Sequence, residues 1–400
     1  MNDGHETRGS LKIRLLPRAE AAVRSGHPWI FAESIKHQNR PGLTGEHAIL
    51  YDRRDRFLGV GLYDPHSPIR IRVIHSGPPL TIDPSWWSRR VQVAFDLRRP
   101  LISPLTNGIR CIHGENDGFP GLVADLYADT LVVKIYSAVW LPRWTEIESI
   151  LRDIISPRFL VLRISRNLIS QASSFGITEG FLGPHGEPTV TFIENGIRFE
   201  ADVLHGQKTG FFLDQRENRS RVEALSSGRD VLNLFSFSGG FSLYAARGGA
   251  ARVVDVDISD HALESARRNF SLNPLLSSTP HEGIRADAFS WIRSTTHRFD
   301  MIIVDPPSLA KREREREGAC SAYRKLHAAA IRRLRPGGIL VAASCSAHVR
   351  EEEFFSIAHK EARLSGRPFH ELWRSGHAID HPATFPEARY LKALCLRFHT

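Results

Sequence analysis

The chain lacks the features that mark a disulfide framework, a zinc site or a membrane anchor. It has four cysteines in 400 residues, Cys111, Cys320, Cys345 and Cys395, without a CxxC pair, so neither zinc binding nor disulfide pairing is expected. No apolar run approaches the roughly 20 residues that span a bilayer, and the first residues have no signal-peptide core. We therefore expect a cytoplasmic protein with no membrane contact, no metal, and cysteines that act singly.

The net charge and the length of the chain indicate the kind of partner and the number of domains to expect. The formal net charge is +9 and the sequence pI is about 9.6, which favours a polyanionic partner, although charge alone does not distinguish nucleic-acid binding from ordinary basicity. The composition, 42% hydrophobic and 24% charged, is that of a soluble globular protein. A chain of this length exceeds one ordinary core, so two or three domains are expected.

The N-terminal part alternates apolar and polar residues in short runs. From Leu11 to about Ile74 these runs predict a small β-rich domain with one helix near residues 18–25. In its last run, Ile69, Ile71 and Val73 are expected to face one side of the strand and Arg70 and Arg72 the other. A solvated strand face is the simplest interpretation of these two arginines.

Residues 80–200 change to a mixed α/β pattern. Helices are predicted over residues 86–99 and 144–155, with a strand near Leu131. The acidic segment 114–121 lacks the spacing of a calcium-binding EF-hand loop and is predicted to be a turn.

The stretch from Asp230 to Ser346 predicts the fold of the C-terminal part. Four short β-branched runs end in polar or glycine-rich segments, with helical patterns between them, as in parallel strands joined by crossover helices. Ligands bind at the carboxyl ends of such strands. The four segments, expected at one edge of one Rossmann-like sheet, are Ser236–Gly240, Asp257, Asp305–Pro307 and Ser344–Ser346.

Two further features lie within or beside this stretch. Ser259 is expected to cap a helix that runs to about Asn273, and a second helix is expected from Tyr323 to Leu334. Residues 311–317 alternate Arg and Glu and predict a solvated loop or helix face. Their position just after Asp305–Pro307 leaves open a place beside the substrate.

The spacing of the first two segments favours an adenosine-containing cofactor without phosphates. Glycines at Ser236–Gly240 allow close approach of the backbone, and Asp257, about twenty residues on, can accept ribose hydroxyls. A nicotinamide dinucleotide would require a G-x-G-x-x-G spacing, which is absent, so S-adenosylmethionine fits better.

Asp287 is expected to meet the adenine amino group. Singly these residues could be turn glycines or helix-capping aspartates, and their order supports the prediction. The predicted cofactor contacts are Asn233, Phe235, Ser236, Gly239, Gly240, Asp257, Asp287 and Asp305.

The last two segments predict the reaction. Pro306 and Pro307 fix the backbone after Asp305, which is expected to hold a planar base over the cofactor. Carbon 5 of a pyrimidine becomes nucleophilic when a thiolate adds to carbon 6, and Cys345 follows a buried strand at the ligand edge. Cys320 is the second choice of nucleophile, whereas Cys111 and Cys395 lie inside strand patterns and are expected to be core residues.

Taken together, these motifs resemble the RlmI-type bacterial 23S rRNA (cytosine-5)-methyltransferases over nearly the whole chain. Segments 235–241, 254–257, 305–307 and 344–346 are similar to the family's methionine-side loop, ribose strand, base clamp and nucleophile motif, and segments 208–216 and 390–392 to more specific signatures. Segment 26–31 resembles part of the family's PUA domain, an RNA-binding β-barrel. This resemblance favours the interpretation of Arg70 and Arg72 as RNA contacts. Segment 193–197 resembles the family's central domain.

The resemblance implies a domain plan, a mechanism and a partner. The expected domains are a PUA-like domain at 9–78, a small central α/β domain at 84–200 and a class I methyltransferase domain at 201–400. Asp305 would hydrogen-bond the cytosine ring, Cys345 would add to C6, and an unidentified base would remove the C5 proton from a base extruded from 23S rRNA or a large-subunit precursor. Whether the protein is a homodimer stays open. The implied RNA contacts are Lys208, Arg216, Pro306, Pro307, Arg70, Arg72 and Lys392.

Alternatives remain at this stage. Ser308 and Leu309 follow the clamp where the family pattern has a lysine and an aromatic residue, which affects the expected substrate contacts. An rRNA guanine N-methyltransferase would use a carboxylate and prolines without a thiol. A catalytically silent RNA-binding or assembly factor would retain the PUA-like domain, although the presence of Asp257, Asp305 and Cys345 argues against it.

Overall fold

The computed structural model describes residues 9–399, which form two compact units. The first comprises the described residues up to Ser103, with Asn107–Val190 and Ala201–Phe211. The second comprises Pro104–Thr106, Thr191–Glu200 and the described residues from Phe212 onward. The division into three domains stays a prediction. Among the described residues, no helix has the length and apolar character needed to cross a membrane.

The first unit begins with a six-stranded sheet of order β2-β6-β5-β4-β1-β3. Residues alternate as expected in its first strand, where Leu11, Ile13 and Leu15 are buried while Lys12 is exposed. The helix begins at Pro17, whose fixed φ suits the first helical position. The elements are β1 Leu11–Leu15, α1 Pro17–Arg24, β2 Trp29–Phe31, β3 Ile35–Gln38, β4 His47–Tyr51, β5 Phe57–Tyr63 and β6 Ile69–Ser76.

Strict alternation fails in β6. A bulge interrupts its pairing with β5 between Val60 and Gly61, so that Ile71 and Ile74 are buried and Val73 is only partly buried. Val73 nevertheless packs against the cluster that contains Ile71, as expected, whereas Ile74 belongs to a different cluster. Of the two arginines of β6, Arg72 is largely covered, with 12% of its side chain exposed.

A second sheet of the first unit has the order β11-β10-β9-β8-β7. Its core contains an aromatic cluster in which the ring of Trp87 lies 5.5 Å from Phe119 and 5.3 Å from Trp140. The helix predicted over residues 144–155 is confirmed, and the one predicted over 86–99 begins and ends slightly earlier. The elements are α2 Pro84–Arg98, β7 Gly108–His113, β8 Leu122–Tyr127, β9 Thr130–Ile135, α3 Trp144–Ile155, β10 Phe159–Ile164, α4 Ile169–Ser174 and β11 Gly180–Phe181.

The acidic segment 114–121 is a structural turn, as expected. It forms a single turn of 3-10 helix that ends at Gly118, whose φ is 81°. Its carboxylates are engaged by the protein, because Asp117 pairs with Arg98 at 2.8 Å and Glu115 pairs with Arg72 at 3.0 Å.

A two-stranded hairpin of β12 Thr189–Glu194 and β13 Ile197–Asp202 follows. Its turn residues, Asn195 and Gly196, both have positive φ, 49° and 82°. Asn-Gly is the pair that a two-residue hairpin turn of this kind favours.

The second unit is built on a seven-stranded sheet of order β16-β15-β14-β17-β18-β20-β19. The five strands from β16 to β18 are parallel, and β20 and β19 are antiparallel at one side, so the predicted Rossmann-like α/β class is confirmed. Its elements are α5 Arg216–Glu223, β14 Asp230–Leu234, α6 Gly240–Arg247, β15 Arg252–Asp257, α7 Asp260–Ser271, β16 His281–Arg285, α8 Ala288–Ser294, β17 Phe299–Val304, α9 Arg316–Arg333, β18 Leu334–Ser344, α10 Glu351–Leu364, β19 Phe369–Ser375 and β20 Lys392–Phe398.

Helix α9 begins seven residues before the expected Tyr323. The alternating Arg and Glu residues carry no apolar period, so the first two turns of the helix were not visible in the pattern. Segment 311–317 was expected to be a loop or a helix face, and it contains both: a short 3-10 turn at Glu313–Glu315 leads directly into α9. Ser259 caps α7 through a hydrogen bond from the amide of Ala262, as predicted.

Candidate functional site

The carboxyl ends of four parallel strands lie side by side in the second unit. Leu234 at the end of β14 pairs with Val256 of β15 and with Val304 of β17, and Val304 pairs with Ala342 of β18. The four segments that follow these strands therefore share one edge of the sheet, which confirms the predicted arrangement.

The loop after β14 has an unusual backbone. Phe235 and Phe237 have φ of 59° and 48°, and Gly239 has φ of 74°. Positive φ is costly for residues with a side chain, and its concentration here indicates a loop shaped for a ligand. Gly239 has a further constraint, because a Cβ at this position would lie 3.0 Å from Cβ of Ala266.

Asp257 holds this loop in place. One of its carboxylate oxygens accepts a hydrogen bond from the amide of Phe237 and the other from the amide of Ser259, each at 2.9 Å. The carboxylate is only partly buried. Each oxygen retains acceptor capacity, so the group can still bind ligand hydroxyls.

Two serine hydroxyls of the same loop are buried. Oγ of Ser236 and Oγ of Ser238 have no hydrogen-bond partner among the described residues. Buried hydroxyls are normally paired, so both are available to a ligand or water.

Asn233 lies at the end of β14, next to this loop. Its side chain is 1% exposed and donates to Oγ of Ser242 at 2.9 Å and to Asp255 at 3.1 Å. Asp255 also bonds His281 at 2.8 Å. The amide nitrogen of Asn233 therefore lies in a buried network beneath the loop, and a contact of this residue with the cofactor stays a prediction.

Asp287 occupies an N-cap position. It lies two residues after β16 and accepts a hydrogen bond from the amide of Ser290 at 2.8 Å at the start of α8. The side chain is exposed. Its contact with adenine stays a prediction, alongside the helix-capping role that the structure shows.

Asp305, after β17, is oriented by residues that the sequence analysis did not assign. Nε2 of Gln215 donates to Asp305 at 2.8 Å, and Nδ2 of Asn218 donates to Oε1 of Gln215 at 2.6 Å. Gln215 lies in the signature segment 208–216, and only the folded chain shows that it reaches Asp305. The chain of amides fixes which oxygen of the carboxylate faces the ligand edge.

Cys345 follows β18 directly and is partly exposed. Its Sγ lies 3.9 Å from the carbonyl oxygen of Pro306. The predicted nucleophile and the predicted clamp are therefore adjacent, as neighbouring parallel strands require.

A hydroxyl cluster connects the clamp segment to the cysteine segment. The hydroxyl of Tyr323 on α9 bonds Oγ of Ser344 at 2.8 Å and Oγ of Ser346 at 3.0 Å. Oγ of Ser346 also accepts the amides of Leu309 at 2.9 Å and Ala310 at 3.4 Å. Burial raises the pKa of Tyr323 to about 12, so the phenol stays protonated at neutral pH and can act as a donor.

The other cysteines are less suited to nucleophilic chemistry. Cys320 is 5% exposed, and burial together with Glu353 raises the pKa of its thiol to about 11. Cys111 and Cys395 are fully buried in β7 and β20, as predicted.

Arg216 and Lys392, predicted RNA contacts, lie inside the second unit. Arg216 is 4% exposed and pairs with Asp380 at 2.8 Å, near Glu194 at 3.6 Å. Lys392 is 1% exposed and donates only to backbone carbonyls. The structure therefore places both side chains in the interior of the second unit, and their contact with RNA stays a prediction.

The remaining predicted RNA contacts have different surroundings. Pro306 is buried and Pro307 is exposed at the ligand edge. Lys208 has φ of 53°, and its carbonyl accepts hydrogen bonds from Lys134 and Arg163, each at 2.9 Å. Their contact with RNA stays a prediction.

Comparisons with known proteins give two matching family models and close relatives over nearly the whole chain. Residues 121–397 match a family model described as S-adenosylmethionine-dependent methyltransferase, and residues 13–76 match one described as a PUA-like domain. A Deinococcus radiodurans protein named ribosomal RNA large subunit methyltransferase is 52% identical over 397 residues, covering 97% of both chains. An Aeromonas salmonicida protein named ribosomal RNA large subunit methyltransferase I is 37% identical, covering 97% of this chain and 99% of that one.

Two solved structures share the fold. One is a candidate SAM-dependent methyltransferase from Streptococcus mutans, 23% identical, with a TM-score of 0.81, and the other is a candidate methyltransferase complexed with SAH, also 23% identical, with a TM-score of 0.82. Each comparison covers 97% of this chain and 100% of the other.

Proposed function

The chain belongs to the S-adenosylmethionine-dependent methyltransferase family, and from this premise we propose that it methylates carbon 5 of a cytosine in 23S rRNA. The relatives named as large-subunit rRNA methyltransferases support the choice of rRNA. The match to a PUA-like domain supports an RNA partner as well. The observation that carries the choice of atom is the cysteine beside the clamp, because methylation of an exocyclic or ring nitrogen needs no thiol.

The residues at the edge of the sheet fit S-adenosylmethionine. The carboxylate of Asp257 can accept ribose hydroxyls, and the buried hydroxyls of Ser236 and Ser238 can bond polar groups of the ligand. The loop does not have the glycine pattern that binds a pyrophosphate. This is consistent with S-adenosylmethionine, which contains no pyrophosphate. When bound, S-adenosylmethionine supplies an electrophilic methyl group.

The protein residues would then act on the cytosine. Asp305, held by Gln215, hydrogen-bonds the ring at N3 and favours its protonation. The thiolate of Cys345 forms a bond to C6, and the electrons of the C5–C6 double bond become available at C5, which takes the methyl group. Loss of the C5 proton to a base and departure of the thiolate restore the double bond.

The adjacent backbone supports this geometry. The amides of Leu309 and Ala310 are bonded to Ser346, so the segment after the clamp and the segment after Cys345 hold each other in place. Preorganisation of this kind keeps the reacting groups near productive geometry without a cost at the moment of reaction.

The first test uses rRNA that contains 5-fluorocytosine. Fluorine cannot leave as a proton, so we expect the wild-type enzyme to accumulate a denaturant-resistant adduct that gel electrophoresis detects. Cys345→Ala should form no adduct and should lose methyl transfer, while its affinity for S-adenosylmethionine in calorimetry stays unchanged.

Cys320→Ala is the matched control and should form the adduct as the wild type does. If the adduct instead disappears with Cys320→Ala and persists in Cys345→Ala, the chemistry stands with a different nucleophile. Methyl transfer that survives Cys345→Ala without any adduct would indicate an N-methyltransferase. Absence of activity and adduct in the wild type would indicate a silent binding protein.

A further inference from the structure

The ammonium group of Lys392 is buried, and its hydrogen bonds in the structure go to backbone carbonyls. Nζ donates to the carbonyl oxygens of Ser346 at 2.5 Å, Val349 at 2.6 Å and Tyr390 at 3.2 Å. Among the described residues, no carboxylate oxygen lies within ion-pair distance of Nζ. A buried cation that only carbonyl dipoles compensate is costly, so its surroundings should explain why it is there.

Its surroundings are those of the candidate nucleophile. Lys392 lies opposite Ser344 in the antiparallel pairing of β18 and β20. Two of its three acceptors, Ser346 and Val349, belong to the segment that directly follows Cys345. The ammonium therefore fixes the backbone on the carboxyl side of the cysteine.

The charged and titratable groups around Lys392 come from three elements. Glu351 and Glu353 belong to α10, Cys320 belongs to α9, and Cys345 follows β18. Burial lowers the pKa of Lys392 to about 8, and the attraction of Cys345, the largest of the opposing effects, raises it. The same attraction acts in reverse on the thiol and favours its ionised form. Tyr323 of α9 interacts electrostatically with Cys345 and with Asp305.

A role for Lys392 as the base that removes the C5 proton conflicts with its hydrogen bonds. Three carbonyl acceptors require three N–H donors, which only the protonated amine has. No lone pair is then available to take a proton from the substrate.

We propose that Lys392 is a positioning residue, whose fixed ammonium holds the segment after Cys345 and stabilises the Cys345 thiolate. This inference rests on the proposed function, in which Cys345 is the nucleophile. It assigns to Lys392 an internal electrostatic role in place of a contact with RNA.

The test measures the thiol directly in the full-length protein. Cys345 is the one partly exposed cysteine, so its alkylation by iodoacetamide can be followed by peptide mass spectrometry as a function of pH. We expect Lys392→Met to raise the thiol pKa by about one unit, which slows alkylation at pH 7 roughly tenfold. Lys392→Arg, which keeps the charge, should restore part of the rate. Lys325→Met removes an exposed lysine of α9 and should change nothing.

Activity provides a second readout. Lys392→Met should lower kcat at pH 7, and raising the pH should recover activity, while the KM for S-adenosylmethionine stays unchanged. A merely structural role would not produce recovery with pH.

The inference is overturned if folded Lys392→Met alkylates with the wild-type pH profile. If that variant does not fold, the wild-type profile decides, because a thiol pKa at or above the ordinary value of about 8.5 would contradict stabilisation of the thiolate. Failure of the proposed function is a separate outcome: methyl transfer by Cys345→Ala would show that Cys345 is not the nucleophile. The effect of Lys392 on the Cys345 thiol could still be measured by alkylation of proteins that retain Cys345.

Discussion

At the scale of single residues, Asp257 shows how one carboxylate can serve both the fold and a ligand. It accepts backbone amides from the loop after β14 and from the start of α7. These bonds keep Phe237 in its left-handed conformation and leave acceptor positions for two ribose hydroxyls. Loss of the carboxylate should therefore affect the cofactor through direct bonds and through the loop.

We predict that Asp257→Ala weakens S-adenosylmethionine binding at least tenfold. Charge-assisted hydrogen bonds contribute roughly 1.5 to 3 kcal/mol each, and one such bond already corresponds to about a tenfold change in affinity. Calorimetry measures the change. Asp260→Ala, which removes an exposed carboxylate three residues further on, is the control and should bind as the wild type does. Unchanged affinity in folded Asp257→Ala would refute the assignment.

The features that the sequence predicted and those that it could not predict differ in the origin of their partners. The order of Asp257, Asp305 and Cys345 at successive strand ends follows from local pattern and sheet topology, so their shared edge was predictable. Arg216 pairs with Asp380, which lies 164 residues away, and no local pattern reports such a partner. A single sequence does not show whether a polar residue lies at the surface or in the interior when its partner is distant along the chain.

At the scale of elements, α9 connects the site to the core of the second unit. Tyr323 bonds the two serines around Cys345, and one turn later His327 lies fully buried, with its ring centroid 5.5 Å from that of Phe354. Neither ring nitrogen of His327 has a hydrogen-bond partner among the described residues. Burial lowers the pKa of His327 to about 4, so the ring is neutral in the folded protein.

We predict that this histidine makes stability depend on acid. The folded-state pKa lies below the ordinary value of about 6.5, so the unfolded chain binds the extra proton, and stability is lost as pH falls from about 6.5 towards 4. Between pH 7 and pH 5 the contribution of His327 is about 2 kcal/mol. We expect the free energy of unfolding, measured with urea, to fall between pH 7 and pH 5 by about 2 kcal/mol less in His327→Leu than in the wild type.

His348→Leu, which removes an exposed histidine, is the control and should keep the wild-type difference. His47 in the first unit is partly buried, and this burial together with the charge of Arg143 lowers its pKa to about 4, so some acid sensitivity should remain in His327→Leu. An acid-induced loss in His327→Leu as large as in the wild type would contradict the prediction.

The sequence located elements better than it located their irregularities. The strands and helices of the Rossmann-like sheet follow from apolar runs and their spacing, and α3 was predicted to the residue. The bulge opposite β6 and the early start of α9 escaped prediction, because a bulge depends on the partner strand and a charged helix turn has no apolar period.

At the scale of the whole molecule, the net charge of +9 bears on the RNA partner. Removing the first sheet is a poor test of its role, because Val60, Leu62 and Ile74 belong to the same apolar cluster as Trp86 and Trp87. Deletion of this sheet would expose part of that apolar cluster. A loss of RNA binding could then not be distinguished from a loss of folding. Single charges on the surface are the better probes.

The two arginines of β6 form a matched pair for such a probe. The guanidinium of Arg72 pairs with Glu115 at 3.0 Å and is largely buried. That of Arg70 bonds the carbonyl of Pro65 and lies 6.0 Å from the ring of Tyr63, without a carboxylate partner among the described residues. The charge of Arg70 is therefore available to a phosphate, and the charge of Arg72 is already compensated.

We predict that Arg70→Gln weakens rRNA binding and reduces the slope of log affinity against log salt by roughly 0.7 to 0.9, the amount expected when one phosphate contact and its released counterion are lost. Filter binding across a salt series measures the slope, and affinity for S-adenosylmethionine should not change. Arg72→Gln should leave the slope unchanged and should instead lower the stability of the first unit, because the largely covered carboxylate of Glu115 loses its charged partner. If both variants bind rRNA with the wild-type slope, β6 contributes no phosphate contact, and the RNA surface of this unit lies elsewhere.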